Sequence, residues 1–255
     1  QTMTMICGID GCPAGWVAVW RHHADNALKT AVFSDICSLI EDFPQTAIFA
    51  VDMPIGLPDF VTGPGRGPEK AVRPFLRERQ SSVFSVPSRA AVYAECGPFS
   101  GQGDIIIAHQ RASLVAFATS DPPRKISIQS FNLFPKIREI DTLLRERPDL
   151  TDRIFESHPE FAFSMLNGGM PMKLPKKIKG NVHRAGMEER KQLLASLGLP
   201  RNFLDQNPPI GAATDDFLDA CAMLLVARRI SCGEAKPHPA PLIRDSHNIP
   251  VAIWA

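Results

Sequence analysis

The order of hydropathy patterns in the first fifty residues constrains this chain more than any other feature. Residues 3–9 read as a strand. Gly11-Cys12-Pro13-Ala14-Gly15 is a turn, and Trp16-Val17-Ala18-Val19-Trp20 resumes the strand pattern. So short a connection makes an antiparallel hairpin. Asp25-Asn26-Ala27 signals another turn, and residues 28–33 a third strand. Ser34 is placed to cap a helix over residues 35–42, with Ile36, Leu39 and Ile40 on one face and Pro44 ending it. Ala47-Ile48-Phe49-Ala50-Val51 is then a continuous apolar run, the pattern of a strand buried on both faces. A helical crossover returns such a strand parallel to an earlier one. The order β-β-β-α-β therefore predicts a mixed sheet in which the first and fourth strands end side by side.

Four acidic segments acquire meaning in that frame. Gly8-Ile9-Asp10-Gly11 ends the first strand and Val51-Asp52-Met53-Pro54-Ile55-Gly56 the fourth. Ile154-Phe155-Glu156-Ser157-His158-Pro159-Glu160 ends a later one. Thr214-Asp215-Asp216-Phe217-Leu218-Asp219-Ala220 opens an apolar helix. Each has an ordinary explanation taken singly: an Asx-turn at Asp10, a turn at Asp52, dipole complementarity for Glu160, Asp215 and Asp216. Asp219 is less ordinary, because it lies a turn deeper among Phe217, Leu218, Ala220 and Leu224. Asp215 and Asp219 share a helix face, where like charges repel unless something positive neutralises them. Asp10, Asp52, Glu156 and Asp219 are thus the candidate catalytic carboxylates. With Asp215 and Asp216 as alternatives on the helix, they are also the candidate ligands for Mg²⁺ or Mn²⁺. Without metal, such a cluster should titrate above the usual carboxylate range.

The rest of the chain is helical and loop-rich. Gly and Pro make residues 57–68 a loop. Residues 68–79 read as a helix that Pro74 should break or kink. Helices are also expected over residues 90–95, 104–119, 131–147, 160–166, 187–197 and 215–230, the last capped by Thr214. Short strands are expected at 153–156 and 249–254. The expected architecture is one domain spanning residues 1–255, with an insertion over roughly 57–150.

Net charge is +1, so any nucleic-acid binding needs a local basic patch. The six cysteines include no C-x-x-C pair and read as buried hydrophobes rather than a disulfide framework. No stretch approaches the ~18 apolar residues of a membrane span, and no signal segment opens the chain, so the expectation is a cytoplasmic protein without a membrane partner. One Tyr and three Trp leave little for stacking single-stranded bases.

Five segments in order resemble one family. They are Gly8-Ile9-Asp10-Gly11-Cys12 with Gly15-Trp16-Val17; Asp52-Met53-Pro54-Ile55-Gly56-Leu57; Ser81-Ser82-Val83-Phe84-Ser85-Val86-Pro87-Ser88-Arg89; Glu156-Ser157-His158-Pro159-Glu160; and Asp215-Asp216-Phe217-Leu218-Asp219-Ala220. The chain is similar over nearly its whole length to the bacterial domain-of-unknown-function 429 family, described as predicted ribonuclease H-like nucleases. The resemblance implies an α/β fold with a ribonuclease H-like mixed β-sheet flanked by helices. It also implies metal-dependent cleavage of nucleic acid or a small phosphodiester, with the acidic positions on Asp10, Asp52, Glu156 and the Asp215/Asp216/Asp219 group. Two divalent ions ~3.5–4 Å apart would activate a water and stabilise the leaving oxygen. Glu69 stands where the family more often has Asp.

Arg73, Ser81, Ser82, Arg89, His158 and Lys177 are the candidate contacts to an anionic substrate. Residues 173–191 form a basic stretch that could guide a polyanion, although a solvated loop is its more ordinary reading. Two rivals share some of these features. An actin-like nucleotide-binding phosphotransferase would use the Asp10-Gly11 turn at a phosphate, but no duplicated strand pattern follows residue 57. A non-catalytic metal- or nucleic-acid-binding protein would use the acids structurally.

Overall fold

A computed structural model describes residues 4–22 and 27–255. The turn read at Asp25-Asn26 lies outside them. In chain order the elements are β1 (Met5–Cys12), β2 (Gly15–His22), β3 (Lys29–Phe33), α1 (Ile36–Glu41) and β4 (Ile48–Asp52). There follow β5 (Val61–Thr62), α2 (Gly67–Leu76), α3 (Arg89–Tyr93), α4 (Gln102–Ala118), β6 (Ser120–Asp121), α5 (Ile128–Glu146), β7 (Ile154–Glu156) and α6 (Pro159–Leu166). The chain continues through β8 (Lys177–Ile178), β9 (Asn181–Val182), α7 (Arg184–Ser196), α8 (Arg201–Leu204), α9 (Thr214–Ser231), β10 (Pro237–Arg244) and β11 (Pro250–Trp254).

The main sheet is mixed, ordered β3-β2-β1-β4-β7. β1, β2 and β3 pair antiparallel, whereas β4 joins β1, and β7 joins β4, in parallel. The β-β-β-α-β reading of the first fifty residues corresponds to this arrangement. Strand alternation divides the core in two. Cys7, Ile9, Phe49 and Val51 face α1 and α5, packing with Leu39, Phe134, Ile137 and Ile140. Ile6, Val19 and Ala50 face the opposite way, toward α9 and its neighbours α6 and α7.

α9 is buried nearly all round, as its run of apolar residues requires. It lies so close to β1 that only glycine fits between them. A Cβ at Gly8 would meet Leu224 N at 2.0 Å and Ala220 O at 2.2 Å. This contact sets the depth at which the first turns of α9 sit against the sheet.

Local details depart from expectation in explicable ways. Pro74 lies inside α2, and the helix runs only two residues past it, ending at Leu76 with Arg77 at φ 49°. Asp35 rather than Ser34 caps α1, its carboxylate accepting from Ser38 N at 2.8 Å. Thr214 is the first residue of α9 rather than its cap. Asp216 reaches back to accept the Ala213 N–H at 3.0 Å, closing that end. β10 was concealed by Pro237, Pro239 and Pro241, which suit an edge strand. It pairs with β11 in a two-stranded sheet apart from the main one. No helix among the described residues is long and apolar enough to cross a membrane.

Candidate metal centre

Asp10 and Asp52 are register partners in the parallel β1–β4 ladder. They stand two residues beyond Gly8 and Ala50, so alternation turns both toward α9. Asp219 descends from α9 at the level fixed by the Gly8 contact. One carboxylate oxygen from each of Asp10, Asp52 and Asp219 lies within 4.8 Å of the others. Asp10 and Asp219 are buried and Asp52 is half-buried.

Such a group cannot stay fully ionised without a counter-charge. Burial, then Asp52 and Asp219, push Asp10 well above the carboxylate range. Burial and Asp219 push Asp52 up to about 7, against the pull of Lys176 and a hydrogen bond with Asp10. The counter-charge present is Lys176, whose ammonium donates to Asp219 Oδ2. Burial alone would lower the Lys176 pKa, but Asp219, Asp10 and Asp52 outweigh it and hold the ammonium charged. Lys176 lies in the basic stretch over residues 173–191, and a lysine in a charged loop has no periodicity to single it out as a site residue.

The donor set suits a hard divalent cation. It consists of carboxylate oxygens, and Asp219 Oδ1 is buried with no hydrogen-bond partner. A buried carboxylate oxygen left without a partner is costly, and a bound cation removes that cost. Asp10, Asp52 and Asp219 would hold such an ion.

The other expected acids are placed differently. Glu156 pairs in register with Val51, one residue short of Asp52. Because the side-chain period is two, that row faces away from α9. Its Oε1 instead accepts Arg66 at 2.6 Å and its Oε2 the Ile55 N–H at 2.7 Å. Burial pushes Glu156 up to about 7 despite Arg66. Asp215 is buried, with Oδ2 2.6 Å from Lys177 Nζ and Oδ1 unpartnered. Asp216 is occupied at the start of α9.

Most of the expected substrate contacts are committed to the protein. Arg73 donates to the carbonyls of Pro64 and Val83 and to Ser85 Oγ, tying the Gly-rich loop to the Ser-rich segment. Arg89 bridges Asp141 at 2.9 Å and Asp245 at 2.6 Å. Ser82 Oγ donates to Arg79 O, while Ser81 is exposed. Burial pushes His158 down to about 4. It is therefore neutral near pH 7, and its Nε2 lies 3.2 Å from Ser82 O.

Two cavities have Phe84 and Val86 in their walls. One of about 30 Å³, room for a single water, is walled by Asp52, Glu156, His158, Phe84 and Val86. Phe84 and Val86 also wall a larger cavity of about 370 Å³ rimmed by Arg124 and Lys125, two cations the sequence reading did not single out.

Comparison with known proteins adds a family and nothing closer. A family model described as a protein of unknown function, DUF429, matches residues 8–243. No curated protein matches, and no solved structure does.

Proposed function

The chain belongs to the DUF429 family, whose function is unknown, and on that footing we propose that it is a divalent-metal-dependent hydrolase of phosphodiester bonds, a nuclease of ribonuclease H-like fold. The observation that carries the reading is the convergence of Asp10, Asp52 and Asp219, distant along the chain, at one point on the α9 side of a mixed sheet. Nothing in folding alone calls for three acids there, and their mutual repulsion opposes it.

A bound Mg²⁺ or Mn²⁺ would polarise a phosphoryl oxygen and lower the pKa of a water. The chain's residues supply the remainder. Asp10 and Asp219 come from rigid elements pressed together at Gly8, which fixes their separation. Glu156 acts on this reading as a positioning residue. Through Ile55 N and Arg66, which also holds the Ile55 and Gly56 carbonyls, it fixes the turn that follows Asp52. The larger cavity walled by Phe84 and Val86 is at the small end of the ~300–1,000 Å³ range of ligand sites. Arg124 and Lys125 at its rim favour an anionic ligand.

Calorimetric titration with Mn²⁺ tests the proposal, followed by hydrolysis assays on labelled DNA and RNA. Binding and cleavage are expected in the wild type, and both are lost in Asp10→Asn and Asp52→Asn. Absence of Mn²⁺ binding refutes it. Thermal protection by ATP without metal-dependent cleavage favours a phosphotransferase.

A further inference from the structure

Lys176 and Lys177 are adjacent in the chain, and each holds a different acid of α9. Lys176 Nζ meets Asp219, and Lys177 Nζ lies 2.6 Å from Asp215. Both acids are buried, and each keeps a second oxygen without any partner. The two lysines thus reach only one of the two oxygens of each carboxylate.

The backbone that delivers them is firmly seated. Arg190, fully buried, donates to the carbonyls of Leu174 and Gly186 and pairs with Glu160 at 2.6 Å. Glu189 accepts the N–H groups of Lys173 and Leu174. Gly186 lets Pro175 press onto α7, since a Cβ there would lie 1.9 Å from Pro175 O. Beyond that anchor the two lysine side chains are partly exposed, each carried on a flexible four-carbon stem. Lys173, Lys179 and Arg184 lie exposed on the same segment.

We propose that Lys176 is a tethered cation that neutralises Asp219 when no metal is bound and passes to the substrate's phosphates when a divalent ion takes Asp10, Asp52 and Asp219, while Lys177 stays beside it on Asp215. The inference rests on the metal reading above and names the substrate class as a polyanionic nucleic-acid strand. Metal loading releases one positive charge beside Lys173, Lys179 and Arg184, so metal and polyanion binding reinforce each other. By linkage the reinforcement is reciprocal.

The test uses the full chain, Mn²⁺ calorimetry, and binding of a dye-labelled phosphorothioate oligodeoxynucleotide over a range of salt. In the wild type, Mn²⁺ should tighten oligonucleotide binding and steepen its salt dependence by roughly 0.7, the contribution of the one released lysine. Lys176→Met should bind Mn²⁺ on the order of tenfold more tightly, because the ammonium no longer competes for Asp219. Lys177→Met, whose lysine sits on no ligand acid, should leave the Mn²⁺ affinity and the Mn²⁺-dependent steepening nearly unchanged, and Lys176→Gln tests the idea if Lys176→Met fails to fold. Equal Mn²⁺ affinity in wild type and Lys176→Met, or an oligonucleotide affinity indifferent to Mn²⁺, overturns the role of Lys176 while leaving the metal site standing. Absence of Mn²⁺ binding in every form overturns both.

Discussion

Gly8 and Ala220 meet backbone to backbone: a Cβ added to Gly8 would lie 2.2 Å from the Ala220 carbonyl oxygen. Two residues further along β1 comes Asp10, and immediately before Ala220 comes Asp219. The same close approach that packs the helix on the sheet therefore sets how near these two carboxylates lie.

Gly8→Ala should destabilise the protein by about 1–3 kcal/mol or more, because the atoms it meets are backbone and cannot step aside. It should also weaken Mn²⁺ binding by moving Asp219 away from Asp10. Urea denaturation and calorimetry read the two effects. Gly103 in α4 provides the control. A Cβ there meets nothing within 4 Å, so Gly103→Ala should be neutral or gain up to ~1 kcal/mol.

The pH dependence of the metal-free protein follows from the raised carboxyls. Asp52 moves from 3.8 to about 7 on folding, and Asp10 also moves up. The folded state then holds protons the unfolded state has lost. The associated stability is present in full below about pH 4 and disappears as pH rises through about 7. Metal should reverse this, because it replaces those protons. Denaturation midpoints with EDTA should fall between pH 5 and 8, and the stabilisation by Mn²⁺ should grow over the same interval.

Glu156 and Asp52 should respond differently to neutralisation. Glu156→Gln removes a charge that Arg66 uses, so it should lower stability while leaving Mn²⁺ affinity nearly unchanged. Asp52→Asn should abolish Mn²⁺ binding. Arg66→Met should cost about 3–5 kcal/mol, since it leaves buried carboxylates without their partner. Chemical denaturation and calorimetry on the same variants separate the two roles.

The parts of the site that follow from strand order were legible in the sequence. The β-β-β-α-β pattern places the ends of the first and fourth strands together, and Asp10 and Asp52 are indeed register partners. The choice among Asp215, Asp216 and Asp219 was not legible, because it depends on the rotation of α9, which a glycine on another element helps to set. Glu156 shows the sensitivity of strand arguments to register: pairing with Val51 instead of Asp52 sends its side chain to the other face. Lys176 sits in a loop, where no period links a residue to its surroundings.

Anomalous diffraction from a crystal soaked in Mn²⁺ tests the central claim most directly. The account predicts a peak bounded by Asp10, Asp52 and Asp219, with oxygens close to the ~2.1 Å typical of Mg²⁺ and the Lys176 ammonium withdrawn from Asp219. A map with no peak among these three carboxylates, and Lys176 still seated on Asp219, would contradict it.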